Sequence, residues 1–350
     1  MASPTSPSSL LHLRALRPRD LPAHPLLSPY QTAPSPDLST FMTSILSEAT
    51  TFMDTTLPST FRPGAVKSSP PSAAKVQLLS REISAGGRKA EAWFARRSTH
   101  TPQPVSGDAS FAEFEAGLLD EHSLHESEYT PDVFDAWKVL DWGAEIAALS
   151  RAGGEGEVGR VGEYEAVVMS VHEMCHHIPF PLLNRVFPVL VLSARSPSTN
   201  PPNATSSSFI IVQIPVALPS SLASALYSSG RHRQEGDETR KRKRVVRGEY
   251  VSIERVKMEG SQIGDGGDGD RDRVVWEMAT ASDAKGWLPM ALQKLGVPGA
   301  VVKDVGFFLK WTAENRRWKT GRWGSEGKGV AQCGCLERLK LQYAGGVRAF

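Results

Sequence analysis

Residues able to carry chemistry fall in short groups in this sequence. His172-Glu173-Met174-Cys175-His176 satisfies H-E-x-x-H, the pattern by which a helix offers two histidines to one zinc ion and a glutamate as general base. The pattern has that meaning only on a helix, where residues four apart stand about 6 Å apart on one face. On a strand they share a face but stand about 13 Å apart, at ~3.3 Å per residue. Two ligands that each sit about 2 Å from one zinc cannot be so far apart. Tyr164, Ala166 and Val168 alternate, Val167 and Val171 are β-branched, and Pro179 and Pro181 follow closely. A strand is therefore expected, and zinc proteolysis through His172 and His176 is rejected. A metzincin-type third ligand is missing as well, because Pro179 and Leu182 stand where Gly and His belong.

Other groups are weighed in the same way. His122, His125 and Glu126 would bind a metal if their helix faced a cleft; on an acidic amphipathic helix they read as surface residues. Cys333-Gly334-Cys335 lacks a second pair, and Asp265 to Asp272 lacks the closing Glu of a calcium loop. Asn203-Ala204-Thr205 is a glycosylation sequon that matters only in a secreted chain. Arg240-Lys241-Arg242-Lys243-Arg244 is a nuclear-import signal, a contact for anionic lipid headgroups, or a solvated loop softened by Glu235, Asp237 and Glu238. Arg185 enters an apolar strand. It either pairs with a structural carboxylate or faces a cavity and holds a ligand headgroup. No cofactor and no metal is expected.

The elements that must position these groups follow from periodicity. Leu38–Met53 reads as a helix capped by Asp37, with Leu38, Phe41, Ile45, Ala49 and Phe52 on one face. Pro58–Pro71 reads as an extended loop, and Lys75–Ile83 and Glu91–His100 as strands joined at Gly86-Gly87. Ser110–Glu128 reads as a helix with a Ser110/Glu113 capping box. Phe134–Trp142 is a strand or short helix, and Gly153–Gly159 a loop. Glu163–His176, Arg185–Ala194, Ser208–Val216, Val245–Met258 and Val274–Ala281 are β-patterned, with no crossover helices between them, so the sheet is antiparallel. The longest helical signal is Asp283–Trp311, where Leu288, Leu292, Leu295, Val301, Val305, Phe308 and Thr312 form an apolar stripe. Gly296, Pro298 and Gly299 are expected to kink or split it.

The chain has 350 residues, a net charge of +2, and 30 Gly and 25 Pro concentrated in a few segments. That charge neither favours nor excludes nucleic acid, and none is expected as a partner. Three cysteines form no disulfide framework, which suits a reducing compartment, the cytoplasm or the nucleus. No apolar run reaches the ~20 residues of a membrane span, and no secretory h-region follows Met1. Residues 1–36 read as a disordered Pro/Ser-rich segment and 37–313 as one domain with inserted loops at 197–207, 220–244 and 260–272. Residues 314–350 read as a tail.

Gly286-Trp287-Leu288-Pro289, Gly296-Val297-Pro298 and Phe308-Leu309 resemble the terminal helix of START-type lipid-transfer domains. More closely, FMDTTLPSTF, EAWFARRSTH, HHIPFPLLNRVFPVLVLSA, RGEYVSIERV and WEMATASDAKGWLPM are similar to an uncharacterised family of fungal proteins with a START-like domain, the DUF3074 type. The likeness covers roughly Leu38 to Trp311. It implies an α+β helix-grip (Bet v-like) fold, a curved antiparallel sheet around a long C-terminal helix with an apolar cavity between, and no established activity. A lipid or sterol-like ligand is the expected partner, with Arg185, Trp287, Leu288, Leu292, Leu295, Val301 and Val305 as candidate cavity residues. Two other uses of the fold compete: a cyclase- or hydrolase-like enzyme with His172, Glu173 and Arg185 converging, and a scaffold whose cavity is filled.

Overall fold

The period-two patterns become strands of one ten-stranded sheet. In this computed structural model the described residues are 9–83, 90–152, 159–197, 207–223, 245–260, 272–285 and 290–321. Helix α1 (Leu38–Thr51) runs through a π-turn at Phe52–Thr56 into α2 (Leu57–Thr60), followed by β1 (Arg62–Ser68), β2 (Lys75–Ile83) and β3 (Glu91–His100). Then come α3 (Phe111–Phe114), a second π-turn at Glu115–Leu119, α4 (His122–Tyr129), β4 (Val133–Asp141) and α5 (Gly143–Ala152). Strands β5 (Glu165–His176), β6 (Arg185–Arg195) and β7 (Ser208–Pro215) lead to a short α6 (Ser220–Ala223) and a two-residue β8 (Val246–Arg247). The chain finishes with β9 (Glu249–Glu259), β10 (Arg273–Asp283) and α7 (Met290–Gly321). The sheet order is β1-β2-β3-β10-β9-β7-β6-β5-β4, antiparallel throughout, with β8 added parallel to β6.

Both faces of this curved sheet are covered, so its strands are buried on two sides. Alternation assigns each side chain. On one face, called outer here, Trp93, Leu190, Leu192, Ile210, Val212, Val251 and Ile253 meet α1, α5 and the N-terminal segment. On the opposite, inner face Val189, Val191, Phe209, Ile211, Val256 and Trp276 meet the α3 region and α7 through Val302, Val305, Phe308 and Leu309. The chain divides into the compact units Met1–Ala313 and Glu314–Phe350, and these packing contacts lie in the first.

Two glycines permit the close approach of α7. A Cβ on Gly117 would stand 2.6 Å from Phe308 Cε2, and one on Gly306 would stand 2.4 Å from the Pro70 carbonyl oxygen. Phe308 stacks on Phe114 at 5.1 Å and meets Trp276 edge-on at 5.2 Å.

Four expectations need correction. Residues 9–36 are not a disordered tail: Leu11, Leu16, Leu21 and Leu27 are buried, and Leu16 bonds with the end of β7 through Pro215 and Ala217, both at 2.8 Å. Sparse leucines among prolines have no helical or strand period, yet side chains inserted one at a time bury as well as a periodic face. The loop expected over Pro58–Pro71 contains α2 and the edge strand β1. The single helix expected over Ser110–Glu128 is interrupted, with Glu121 at φ 44° between its two parts. Helix α7 runs unsplit through Pro298; a Cβ on Gly296 or Gly299 would meet nothing within 4 Å, so the segment is free to keep helical geometry. The Gly86-Gly87 turn, most of the three inserted loops, the basic run 240–244, Cys333, Cys335 and the end of the tail lie outside the described residues.

Candidate functional site: a polar chamber between sheet and helix

The inner face of the sheet carries a stripe of polar residues running from β3 across β9 to β7. Register places Arg96 of β3, Glu254 of β9 and Ile211 of β7 in one row. Ser252 and Gln213 form the next row, and Tyr250 lies beyond on β9. Alternation aims all of these toward α4 and α7. Arg96 Nη2 pairs with Glu254 Oε1 at 2.9 Å, and Trp276 Nε1 donates to the same oxygen at 2.7 Å. The Arg96 guanidinium also lies over the Trp276 ring, 3.9 Å from its centroid. Ser252 Oγ donates to Gln213 Oε1 at 2.6 Å.

Helix α4 closes the other side. Its first residue, His122, is buried, with Nδ1 2.9 Å from the Leu118 carbonyl oxygen and Nε2 3.7 Å from Glu126 Oε2. The interruption before α4 re-aims this turn, which is why His122 and Glu126 face inward although periodicity across an unbroken helix reads them as surface residues. Tyr129 meets Phe308 edge-on at 5.7 Å, and Asp304 comes from α7.

Burial dominates the electrostatics of this region. Burial pushes the Glu126 carboxyl up to about 8, reinforced by Asp304 and Glu254. Burial likewise pushes Asp304 up to about 7, against the attraction of Arg96. Burial raises Tyr129 and Tyr250 and lowers His122, while His172 falls to about 3 and His176 to about 4. Yet Glu126, Tyr129, Tyr250 and Asp304 all retain accessible surface.

Several polar atoms buried in this layer are unsatisfied. Arg96 Nε and Nη1, Gln213 Nε2, Tyr250 Oη, His176 Nε2 and Glu126 Oε2 have no hydrogen-bond partner among the described residues. The Gln213 amide approaches Glu126 and favours its ionised form, without an aligned bond through Nε2.

The sequence-read candidates are distributed unevenly. Val301 and Val305 are buried on α7. Leu292 and Leu295 lie on the same helix with their side chains outside the described residues, as do Trp287 and Leu288 altogether. Arg185 is buried but satisfies neither role expected of it. Its Nε donates to the Ala284 carbonyl at 2.9 Å, Nη2 to that of Lys285 at 3.4 Å, and Nη1 to that of Leu183, so it pins β6 to the segment entering α7. His172 and His176 share the inner face of β5, and Glu173 points to the outer one. The described residues hold no group of three or more His, Cys, Asp or Glu placed to take a metal ion.

Sequence reasoning missed Arg96, Gln213, Tyr250, Glu254 and Asp304. The legible signal was Tyr250-Val251-Ser252-Ile253-Glu254, where polar residues take every second place on a strand whose alternate residues are apolar. It also missed Ser98, His100 and Asp108, a hydrogen-bonded row with His100 Nδ1 3.1 Å from Asp108 and Nε2 2.8 Å from Ser98 Oγ. The order is that of a nucleophilic serine. Ser98 is only 1 % exposed, and the row instead ties β3 to the segment before α3.

Fold and site define a helix-grip protein, a wide antiparallel sheet closed by its C-terminal helix over a polar-lined interior. Residues 93–312 match the family described as "Protein of unknown function (DUF3074)", and the chain belongs to that family. Among solved structures it is similar to human STARD10 (14% identity, 83% of this chain and 86% of that one, TM-score 0.41). It is also similar to human StAR-related lipid transfer protein 5 (9%, 79% and 99%, TM-score 0.41) and to the human StarD13 lipid transfer and protein localization domain (12%, 71% and 87%, TM-score 0.35). No curated protein matches the chain.

Proposed function

We propose that the chain binds a lipid or another largely apolar ligand in the space between the sheet and α7. The observation that supports this is the set of unpaired polar atoms on Arg96, Gln213, Tyr250 and Glu126 inside otherwise apolar walls of Val189, Val191, Ile211, Val305 and Phe308. Leaving a buried polar atom unpaired costs about 1–3 kcal/mol. Several such atoms clustered between sheet and helix call for partners that a guest with a greasy body and a polar end would supply. The test is lipid extraction and native mass spectrometry of the full chain purified from its own cells. One recurring lipid in stoichiometric amount supports the reading. Protein that carries no lipid and takes none up from vesicles overturns it.

Transfer between membranes is the finer form of the proposal, read by movement of a labelled lipid from donor to acceptor vesicles. The basic run Arg240–Arg244 then serves as the contact with anionic membrane, and charge-neutral replacement slows transfer from anionic vesicles only. A second reading, a small-molecule enzyme, is favoured by Glu126, held toward the protonated state 3.7 Å from the buried His122, with Asp304 acting on the same carboxyl. Chemical change in a bound lipid over time separates it from passive binding.

A further inference from the structure

The polar end of the chamber is unbalanced in charge, and the imbalance specifies a headgroup; the step rests on the proposed function. The inward-facing Arg96 is already neutralised by Glu254 at 2.9 Å, and Lys138, opposite His172 on the edge strand, by Asp141 at 2.9 Å. Glu126 and Asp304 remain, with no cation of their own among the described residues. The nearest base to Glu126, His122 Nε2 at 3.7 Å, is kept neutral by burial, and the charge that attracts Asp304 is the Arg96 guanidinium that Glu254 already holds. The other titratable groups facing this pair are Tyr129 and His125 on α4, Tyr250 and Glu254 on β9, and Asp132 before β4. None of these supplies a fixed positive charge.

A second, independent observation points to the guest. Arg96 is 1 % exposed with Nε and Nη1 unpartnered, and Gln213 is 5 % exposed with Nε2 unpartnered. These buried donors need an acceptor oxygen in the same place where the carboxyls need a cation. Tyr129 and Tyr250 lie close enough to Glu126 to be raised by its charge, and aromatic faces attract an alkylammonium group.

We infer that the ligand is an amphiphile whose head carries a cationic amine beside an oxygen acceptor. The amine sits between Glu126 and Asp304, the oxygen on Arg96 and Gln213, and the chain lies among the apolar walls. An incoming ammonium replaces the protons that the two carboxyls otherwise keep, so amine binding releases protons and strengthens as the pH rises.

The experiment titrates the delipidated full chain with 2-amino-1-hexadecanol, 1-hexadecanol and hexadecanoic acid below their aggregation limits, using tryptophan fluorescence and native mass spectrometry. The amino-alcohol is expected to bind tighter than the alcohol by on the order of tenfold, and the acid weakest. The preference should grow between about pH 6 and pH 9, where the amine stays largely charged while Glu126 and Asp304 ionise. The double replacement Glu126→Gln and Asp304→Asn should abolish the preference and leave 1-hexadecanol binding intact. Equal binding of amine and alcohol, with no change in the unaltered chain across that pH range, overturns the headgroup assignment and leaves the chamber reading standing. Binding of none of the three overturns the chamber reading itself. If the double variant does not fold, the pH series on the unaltered chain decides.

Discussion

The two faces of the sheet bury similar numbers of charged groups and treat them in opposite ways. On the outer face Arg255 meets Glu277 at 2.8 Å and also Asp54, and Arg97 adds a second contact to Glu277 at 3.1 Å. Glu91 there accepts from the Leu13 amide at 3.0 Å and from Trp93 Nε1 at 3.1 Å. On the inner face the Arg96–Glu254 pair is made, but two nitrogens of Arg96 and one oxygen of Glu126 are left without partners among the described residues. Ions matched as Arg255 and Glu277 are hold layers together; polar atoms left over as those of Arg96 and Glu126 are leave their layer incomplete until something enters. The same alternation built both, so the difference lies in what each face was closed with.

The largest effect should come from unmatching the outer face. Arg255→Ala leaves Glu277 buried with only the half-exposed Arg97 beside it and frees the π-turn that holds Asp54. Removing one partner of a buried pair costs about 3–5 kcal/mol, and chemical denaturation should show that loss. A loss below about 1 kcal/mol would mean that outer-face pairing contributes no more than a surface ion pair does. Leu27→Ala comes next. Leu27 is fully buried, and its replacement should cost about 2–5 kcal/mol, whereas a residue in a disordered segment would cost nothing.

The comparison also predicts a pH profile. Glu126 and Asp304 are raised in the fold to about 8 and about 7, so the folded chain binds more protons than the unfolded one above the ordinary carboxylate range. Stability from these groups falls as pH rises from about 4.5 through 8, at up to about 1.4 kcal/mol per pH unit for each. His172 and His176 are depressed to about 3 and about 4, so the unfolded chain binds more protons in acid, and their contribution is lost as pH falls below about 6.5. Between about pH 4.5 and 6.5 the two pairs oppose each other and the profile should be flat. Glu126→Gln should remove part of the alkaline limb and leave the acid limb in place, as thermal unfolding across pH would record.

Periodicity made most of the fold legible. β5, β6, β7, β9 and β10 could be read because each is a run of eight or more residues rich in β-branched and other apolar side chains, and the buried half of α7 because Val301, Val305, Phe308 and Thr312 keep helical spacing. The N-terminal segment was not legible, since Leu11, Leu16, Leu21 and Leu27 follow no period and are placed by contacts with β7, Trp142 and α1. The chamber was half legible. Tyr250, Ser252 and Glu254 carry a visible pattern on one strand, but Arg96 and Asp304 gain their meaning from register and helix docking, which join residues more than two hundred positions apart. The direction of Glu126 depended on a single left-handed residue, Glu121, at a position where a helix-forming residue gives no warning.

The smallest effect is the sharpest test of the contrast. Tyr250→Phe removes one hydroxyl that has no hydrogen-bond partner among the described residues and keeps the ring that meets Phe187 at 5.3 Å. A paired hydroxyl lost from a core costs about 0.5–1.5 kcal/mol, while an unpaired one costs nothing and its removal can be slightly stabilising. The ligand-free chain should therefore melt within about 0.5 kcal/mol of the parent, on the stable side, while affinity for a guest that uses the hydroxyl falls severalfold. A destabilised empty chain would mean that ordered water already completes the inner face, which would erase the difference from the outer one. Unchanged stability with weakened binding is the outcome that only an incomplete face gives.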